Sequence, residues 1–197
     1  IVNLARLENS DNALEGYFSM IETSVRRLDR TLLDLIDLAR TRKGSTKISQ
    51  INMKGLVDEI LNSLKHVPDF NRINFELKVD HNVEIAADKV LVLSVFQNLI
   101  HNAINYCNHE SPWIRIKVEQ TERGIKAEVG DNGKGIAENI KERVFEMFYR
   151  GHQESSGSGL GLFIVKNALE KMLGKIHFDS QAGKGTTFFV SIPNTVI

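Results

Sequence analysis

The sequence predicts an α+β chain in two parts. Residues 1–45 read as a helical hairpin of the dimerising four-helix-bundle type, and residues 46–197 as an α/β sandwich with one mixed sheet covered by helices. Three observations carry this. Leu14, Phe18, Ile21, Val25, Leu28, Leu32, Leu35 and Ala39 stand alternately four and three apart, which is a sustained a/d seam. A polar break, "RKGSTK" at 42–47, ends that pattern. Beyond it, helical periods alternate with period-two runs joined by tight connections.

Taken in order, "IVNLARLEN" is the end of a first helix, and "SDN" at 10–12 is a turn with helix-capping residues. A long second helix carries the heptads, with Glu22, Arg26, Arg27, Asp29 and Arg30 off the seam. Such a seam needs apolar partners. They come either from a hairpin packed on its own chain or from an intermolecular bundle, and the length of the repeat favours the bundle. After the break, "MKGLVDEILNSLKH" (53–66) is helical and "INFELKV" (73–79) is a strand. Residues 87–107 form a long helix with Asp88 as N-cap. "WIRIKVEQ" (113–120) and "GIKAEVGD" (124–131) are strands joined at "TER". "IKERVFEMF" (140–148) is a short helix, and "GLGLFIVKNALEKML" (159–173) another, ended by Gly174. "KIHFDS" and "TTFFVSIP" are closing strands around "QAGKG".

Composition bounds the function. The 197 residues carry 25 basic and 25 acidic side chains, so there is no net-charge footprint for nucleic acid or an anionic membrane. Cys107 is the only cysteine, which rules out an intramolecular disulfide or a Cys-based zinc cluster and fits a cytoplasmic setting. The most apolar run, "VLVLSVF" (90–96), is too short to span a bilayer, so no direct membrane contact is expected here. No signal peptide is visible. The chain opens at Ile1 inside a helical pattern, so a larger parent is expected, with sensor or membrane-anchoring segments of its own.

The chemistry-bearing stretch is "SSGSGLGLFIV", with Gly157, Gly159 and Gly161 at alternate positions before a helix. A dinucleotide fingerprint would need glycine where Leu162 stands, and a preceding strand. No window fits a Walker A loop, and the partner motifs of a protein-kinase glycine loop are missing. What remains is backbone N–H groups offered to an anion at a helix N-terminus, or else a plain flexible loop with a helix cap.

Its neighbours narrow the choice. Asn98 and Asn102 lie four apart on one helix face, where unpaired amides are costly and their oxygens suit Mg²⁺. The alternative is a pair of Asn side chains bonded to a loop. In "VGDNGKGI" (129–136), Asp131 ends a strand where a carboxylate can accept from an exocyclic amine, or else simply sits in a D-N-G turn. "VFEMFYRG" puts Phe145, Phe148 and Tyr149 ahead of Arg150, a phosphate-clamping type. "GKGTTF" brings Thr186 and Thr187 into the last strand.

In this order the motifs resemble the N box (Asn98, Asn102), first glycine box (Asp131, Gly133, Gly135), F box (Phe145, Phe148), second glycine box (Gly157, Gly159, Gly161) and G-x-G-T box (Gly183, Gly185, Thr186) of two-component sensor histidine kinases. Each motif alone is unspecific; five in sequence are not. Residues 46–197 resemble the catalytic ATP-binding domain, a Bergerat fold shared with gyrase, the heat-shock chaperone ATPase and mismatch-repair ATPases. Residues 1–45 resemble the dimerisation and phosphoacceptor domain without its H box. The resemblance implies ATP and Mg²⁺ as cofactors, a homodimer through the 1–45 helices, and a response-regulator receiver domain as partner. It implies that Asn102 ligates Mg²⁺, that Asn98 sits beside the phosphates, and that Asp131 reads the adenine amine with Thr186 nearby. Gly133 and Gly135 would admit the base, while Gly159 and Gly161 would present N–H groups to phosphate. Tyr106, Ile136, Phe148, Arg150, Gly157, Leu160 and Leu162 complete the implied nucleotide site, and residues 150–158 would form a short lid.

Hydrolysing relatives carry a Glu one turn before the Mg²⁺ ligand. Here that position is Asn98, which is no general base, so the chemistry favours a delivered histidine over water. None of the six histidines fits the H-E/D-x-x-x-P acceptor motif. His109 precedes an acid, but Pro112 falls at +3, and the acceptor is expected just before Ile1. Asn105 stands where many relatives have Lys, which would shift phosphate contacts to Arg150 and Lys134. The competing functions are a degenerate kinase serving as a nucleotide-binding and dimerisation module, and a plain ATPase. Intact boxes oppose the first, and Asn98 opposes the second.

Overall fold

The computed structural model describes residues 16–25, 28, 31–32, 35–36, 47–108, 110–150 and 158–195. Helix α1 runs through 16–25, with further helical residues at 28, 31–32 and 35–36. Along it Tyr17, Met20, Ile21, Val25, Leu28, Leu32, Leu35 and Ile36 are exposed. The expected first helix and the "SDN" turn lie outside the described residues.

The remainder is a five-stranded mixed sheet with three longer helices on one face. Its strands are β2 (Asn74–Val79), β4 (Trp113–Thr121), β5 (Gly124–Asp131), β6 (Lys175–Gln181) and β7 (Gly185–Pro193), in the order β2-β4-β5-β7-β6. β2 and β4 are parallel and the other pairs antiparallel. Ile114, Ile116 and Val118 of β4, Ile125, Ala127 and Val129 of β5, and Phe188, Val190 and Ile192 of β7 alternate onto one buried face. Against it lie α2 (Met53–Leu64), α3 (Lys89–Tyr106) and α4 (Gly161–Lys171). Each fully buried Ile, Leu, Val or Phe contributes about 1.5–3 kcal/mol. The predicted class is therefore borne out.

Four local expectations are corrected. First, a two-stranded antiparallel ribbon pairs β1 (Ile48–Asn52) with β3 (Glu84–Asp88), so among the described residues the strands form two sheets and not one. Both strands are five residues long and run straight into helices, and "EIAAD" has the Ala content of a helix start. Asp88 then ends the ribbon and caps α3, its Oδ1 accepting from Val90 N at 2.9 Å and Leu91 N at 3.4 Å. Second, 140–148 is not an α-helix: a 3₁₀ turn covers Glu138–Arg143, and Phe148 takes φ 62, which a right-handed helix excludes. Third, α2 stops at Leu64, ahead of Pro68, instead of reaching His66. Fourth, α4 begins at Gly161, two residues after the left-handed Gly159 (φ 78), and its left-handed C-terminal residue is Leu173 (φ 56), not Gly174. Gly174 N–H instead donates to the Leu169 carbonyl at 2.8 Å, closing a Schellman motif.

Candidate functional site

Two clusters form where α3, α4 and one end of the sheet meet. The first lies between helices. Asn98 and Asn102 project from α3 toward Gly161, the first residue of α4. A Cβ added to Gly161 would stand 3.0 Å from Asn98 Oδ1 and 3.8 Å from both polar atoms of the Asn102 amide. Asn98 Nδ2 donates to the Ser94 carbonyl at 2.9 Å, which leaves Oδ1 facing outward from that bond. Among the described residues Asn102's side chain makes no hydrogen bond. Helix α4 starts without a side-chain cap, since its N-cap residue is the fully buried Leu160. Its first-turn N–H groups thus open beside two carboxamides. Leu162 is half-buried against the main core, whereas Leu160 packs with Ile164 and Phe163 in a small separate cluster.

The second cluster closes the inward face of the sheet. Asp131, the last residue of β5, pairs with Thr186 of β7, and Thr186 pairs with Ser180 of β6. Asp131 and Thr186 are both 7% exposed. Burial raises the Asp131 pKa from its usual value to about 6, against the lowering effect of N–H groups donated by Gly133 and Thr186. Gly133 N reaches Asp131 Oδ1 at 2.8 Å.

Glycine is required along the loop that follows. A Cβ at Gly133 would overlap the carbonyl oxygen of Tyr106, at the end of α3. That carbonyl also accepts from Lys134 N at 3.1 Å, so the half-buried Tyr106 ties α3 to the loop through its backbone. Gly135 has φ 65 and lies against the Gln181 carbonyl. Gly183 N donates to the Lys134 carbonyl at 2.7 Å, and Ile136 N donates to Ser180 Oγ at 2.8 Å. The β6–β7 hairpin therefore grips the loop along its length.

The aromatic run divides. Phe145 turns inward, 5.9 Å from the Phe178 ring, while Phe148 is 53% exposed and its backbone lies against Gly159. Arg143 stacks over Tyr149 at 4.3 Å. Arg150 is half-buried. Asn105 is exposed and bonds its amide to His101 Nδ1 at 2.8 Å. Gly157 and most of the expected lid, 151–157, lie outside the described residues. Ser180 is the residue that sequence reading missed. It sits inside an ordinary strand pattern, and only the cross-strand register brings it to Thr186.

A family model described as histidine kinase-, DNA gyrase B-, and HSP90-like ATPase matches residues 87–196. The chain belongs to that family. It is 31% identical over 188 residues to the phytochrome-like protein Cph1 of Synechocystis sp., covering 94% of this chain and 25% of that one. It is 29% identical over 198 residues to the sensor-like histidine kinase SenX3 of Mycobacterium tuberculosis, covering 96% and 47%. The chain thus spans about a quarter to a half of the length of these curated relatives. Among solved structures, the catalytic domain of the histidine kinase ThkA superposes with a TM-score of 0.65 at 26% identity, covering 75% of this chain and 96% of that domain. ThkA in complex with the response regulator protein TrrA gives 0.72 at 22% identity, over 95% and 53%, a likeness of fold. The sequence-level recognition is borne out: the chain carries a histidine kinase-type ATP-binding catalytic domain.

Proposed function

We propose that this chain is the catalytic core of a sensor histidine kinase. It would transfer the γ-phosphate of ATP to a histidine outside residues 1–197, from which a response-regulator aspartate would take it. The observation that carries the reading is the pair of amides, Asn98 and Asn102, set beside the uncapped first turn of α4 at Gly161. Among the described residues no three His, Cys, Asp or Glu side chains gather to hold a metal ion. A cation here would rest on few protein ligands and mainly on phosphate oxygens, which suits Mg²⁺. Asn102, half-buried and without a hydrogen bond among the described residues, fits as the protein ligand. When bound, Mg²⁺ would neutralise charge on the β- and γ-phosphates.

The chain's own groups do the rest. The α4 N–H groups after Gly159 and Gly161 would bind phosphate, and Asp131 with Thr186 would accept from the adenine amine. Arg150 and the residues that follow would cover the nucleotide. Asn98, an amide, removes no proton from water, so the phosphoryl group is reserved for a delivered imidazole. The exposed apolar residues of α1 fit a homodimer through residues 1–45, with the ATP-binding domain from 46 onward. Among the described residues no helix is long and apolar enough to cross a membrane. The response-regulator partner is supported by ThkA, whose complex with TrrA shares the fold.

Calorimetry tests the site: Asn102→Ala is expected to lose Mg²⁺-dependent ATP affinity with the fold intact, and unchanged binding would refute the assignment. Incubation with γ-labelled ATP tests the acceptor. No stable acid-labile phosphate is expected on this chain alone, and steady phosphate release would instead indicate a plain ATPase.

A further inference from the structure

Every complete row across the inward face of β6, β7 and β5 is apolar except the last. Ile176–Val190–Ala127 and Phe178–Phe188–Val129 are followed by Ser180–Thr186–Asp131. The end row holds a hydroxyl, a hydroxyl and a carboxylate side by side. We infer that Ser180 is a specificity-determining positioning residue: it fixes the polarity of the Thr186 hydroxyl so that the base-reading row presents acceptors only. The inference rests on the nucleotide site proposed above and adds the reason it would choose adenine over guanine.

The proton count carries the argument. A serine hydroxyl has one proton to give and two lone pairs to receive. Ile136 N–H donates to Ser180 Oγ at 2.8 Å and occupies one lone pair. The Gly185 carbonyl lies 3.0 Å from Ser180 Oγ and can only accept, so it takes the single proton. Thr186 Oγ1 lies 2.9 Å away. With the Ser180 proton committed, Thr186 must donate into the remaining lone pair. That arrangement makes all three contacts at once. If Ser180 gave its proton to Thr186 instead, the Gly185 contact would be lost.

Thr186 Oγ1 is left with lone pairs and no proton. Its neighbour in the row, Asp131, is an acceptor when ionised. Asp131 and Thr186 are buried and occupy adjacent strands in register, with the Thr186 N–H also bonded to the carboxylate. Two acceptors side by side suit an exocyclic amine, which has two protons to give. They repel a carbonyl oxygen at the same position of the ring, which is what guanine carries. A buried acceptor facing an acceptor is costly, so the discrimination is large for one hydroxyl orientation.

The position is also mechanically fixed. Gly185 has φ 102 and packs on the Asp131 carbonyl, and Gly135 packs on the Gln181 carbonyl, next to Ser180. Ser180 therefore sits where loop, hairpin and reader meet. Its loss is predicted to free the Thr186 hydroxyl to rotate and donate.

The test compares affinity for Mg·ATP, Mg·GTP and the triphosphate of unsubstituted purine riboside, by calorimetry on the full chain at a pH well above the Asp131 titration. Wild type is expected to prefer ATP over both. Ser180→Ala should lower the ATP-to-GTP preference about tenfold, the size of one misdirected hydrogen bond, and Ser180→Thr should restore it. Thr186→Val should lose the same preference, and adding Ser180→Ala to it should cost no more. If Ser180→Ala does not fold, Thr186→Val alone decides, because retained preference in that variant overturns the inference. Equal loss of ATP and GTP affinity in Ser180→Ala would also overturn it, leaving a structural role. A wild-type chain that binds ATP over GTP with a preference indifferent to Ser180 defeats this inference alone. A wild-type chain that binds no nucleotide defeats the site reading beneath it.

Discussion

The sheet-end cluster and the helix-face cluster solve opposite problems. Around Asp131 nearly every polar group is already satisfied: the carboxylate by Gly133 and Thr186 N–H groups, Ser180 by three partners, and the loop by the β6–β7 hairpin. Around Asn102 the groups are left open. That amide has no hydrogen bond among the described residues, and α4 begins without a side-chain cap. Under the proposed reading, a rigid, self-satisfied site would pre-organise recognition of a neutral ring. An unsatisfied one leaves its polar groups for charge supplied with the ligand, which would repay the cost of leaving them unpaired.

That contrast can be broken by experiment. The largest effect is expected at Gly133→Ala, whose Cβ would overlap the Tyr106 carbonyl. Backbone would have to move, so a loss of more than about 3 kcal/mol is expected in denaturant unfolding. A small change there would mean that the sheet end is not rigid. Gly161→Ala should behave differently. The atoms nearest its Cβ belong to the Asn98 and Asn102 side chains and not to backbone, so unfolding should shift by less than about 1 kcal/mol. ATP affinity should nonetheless fall at least about tenfold, the equivalent of one phosphate contact.

A pH series probes the sheet end through Asp131. Folded Asp131 holds its proton up to about pH 6, whereas the unfolded group releases it near 3.8. Between those values the native state binds more protons. Its contribution to stability is therefore full at low pH, falls as pH rises through the folded pKa, and stays flat above it. The total fall is on the order of 3 kcal/mol. Chemical denaturation should show the slope, and Asp131→Asn should remove it. ATP affinity should fall below about pH 6, because one oxygen of the protonated carboxyl becomes a donor where the amine needs an acceptor. The smallest effect is expected far from both clusters. Leu173→Gly relieves a left-handed residue that is 83% exposed, and should stabilise the fold by roughly 0.5 kcal/mol without changing nucleotide binding.

Local chemistry was legible wherever one residue type has few reasons to be present. Asp88 as a cap, the β4–β5 hairpin and the alternating core strands follow from side-chain period and capping preference alone. The ribbon strands β1 and β3 were not legible, because five-residue strands that run into helices have no period of their own. Leu173 shows the same limit. Glycine is the usual left-handed residue, yet the next residue, Gly174, is required for a different reason: a Cβ there would stand 2.7 Å from the Ser191 carbonyl.

Residue by residue, the chain itself determined the order of the five boxes, the amide where hydrolysing relatives have a carboxylate, and the heptad seam of the first part. These depend on spacing along one element and on which atoms a side chain carries. Tertiary structure alone decided that Gly161 faces Asn98 and Asn102 across two helices, and that Ser180, Thr186 and Asp131 share one row of three strands. Both depend on register between segments far apart in sequence, and a one-residue slip in either strand pair would turn that row to the other face.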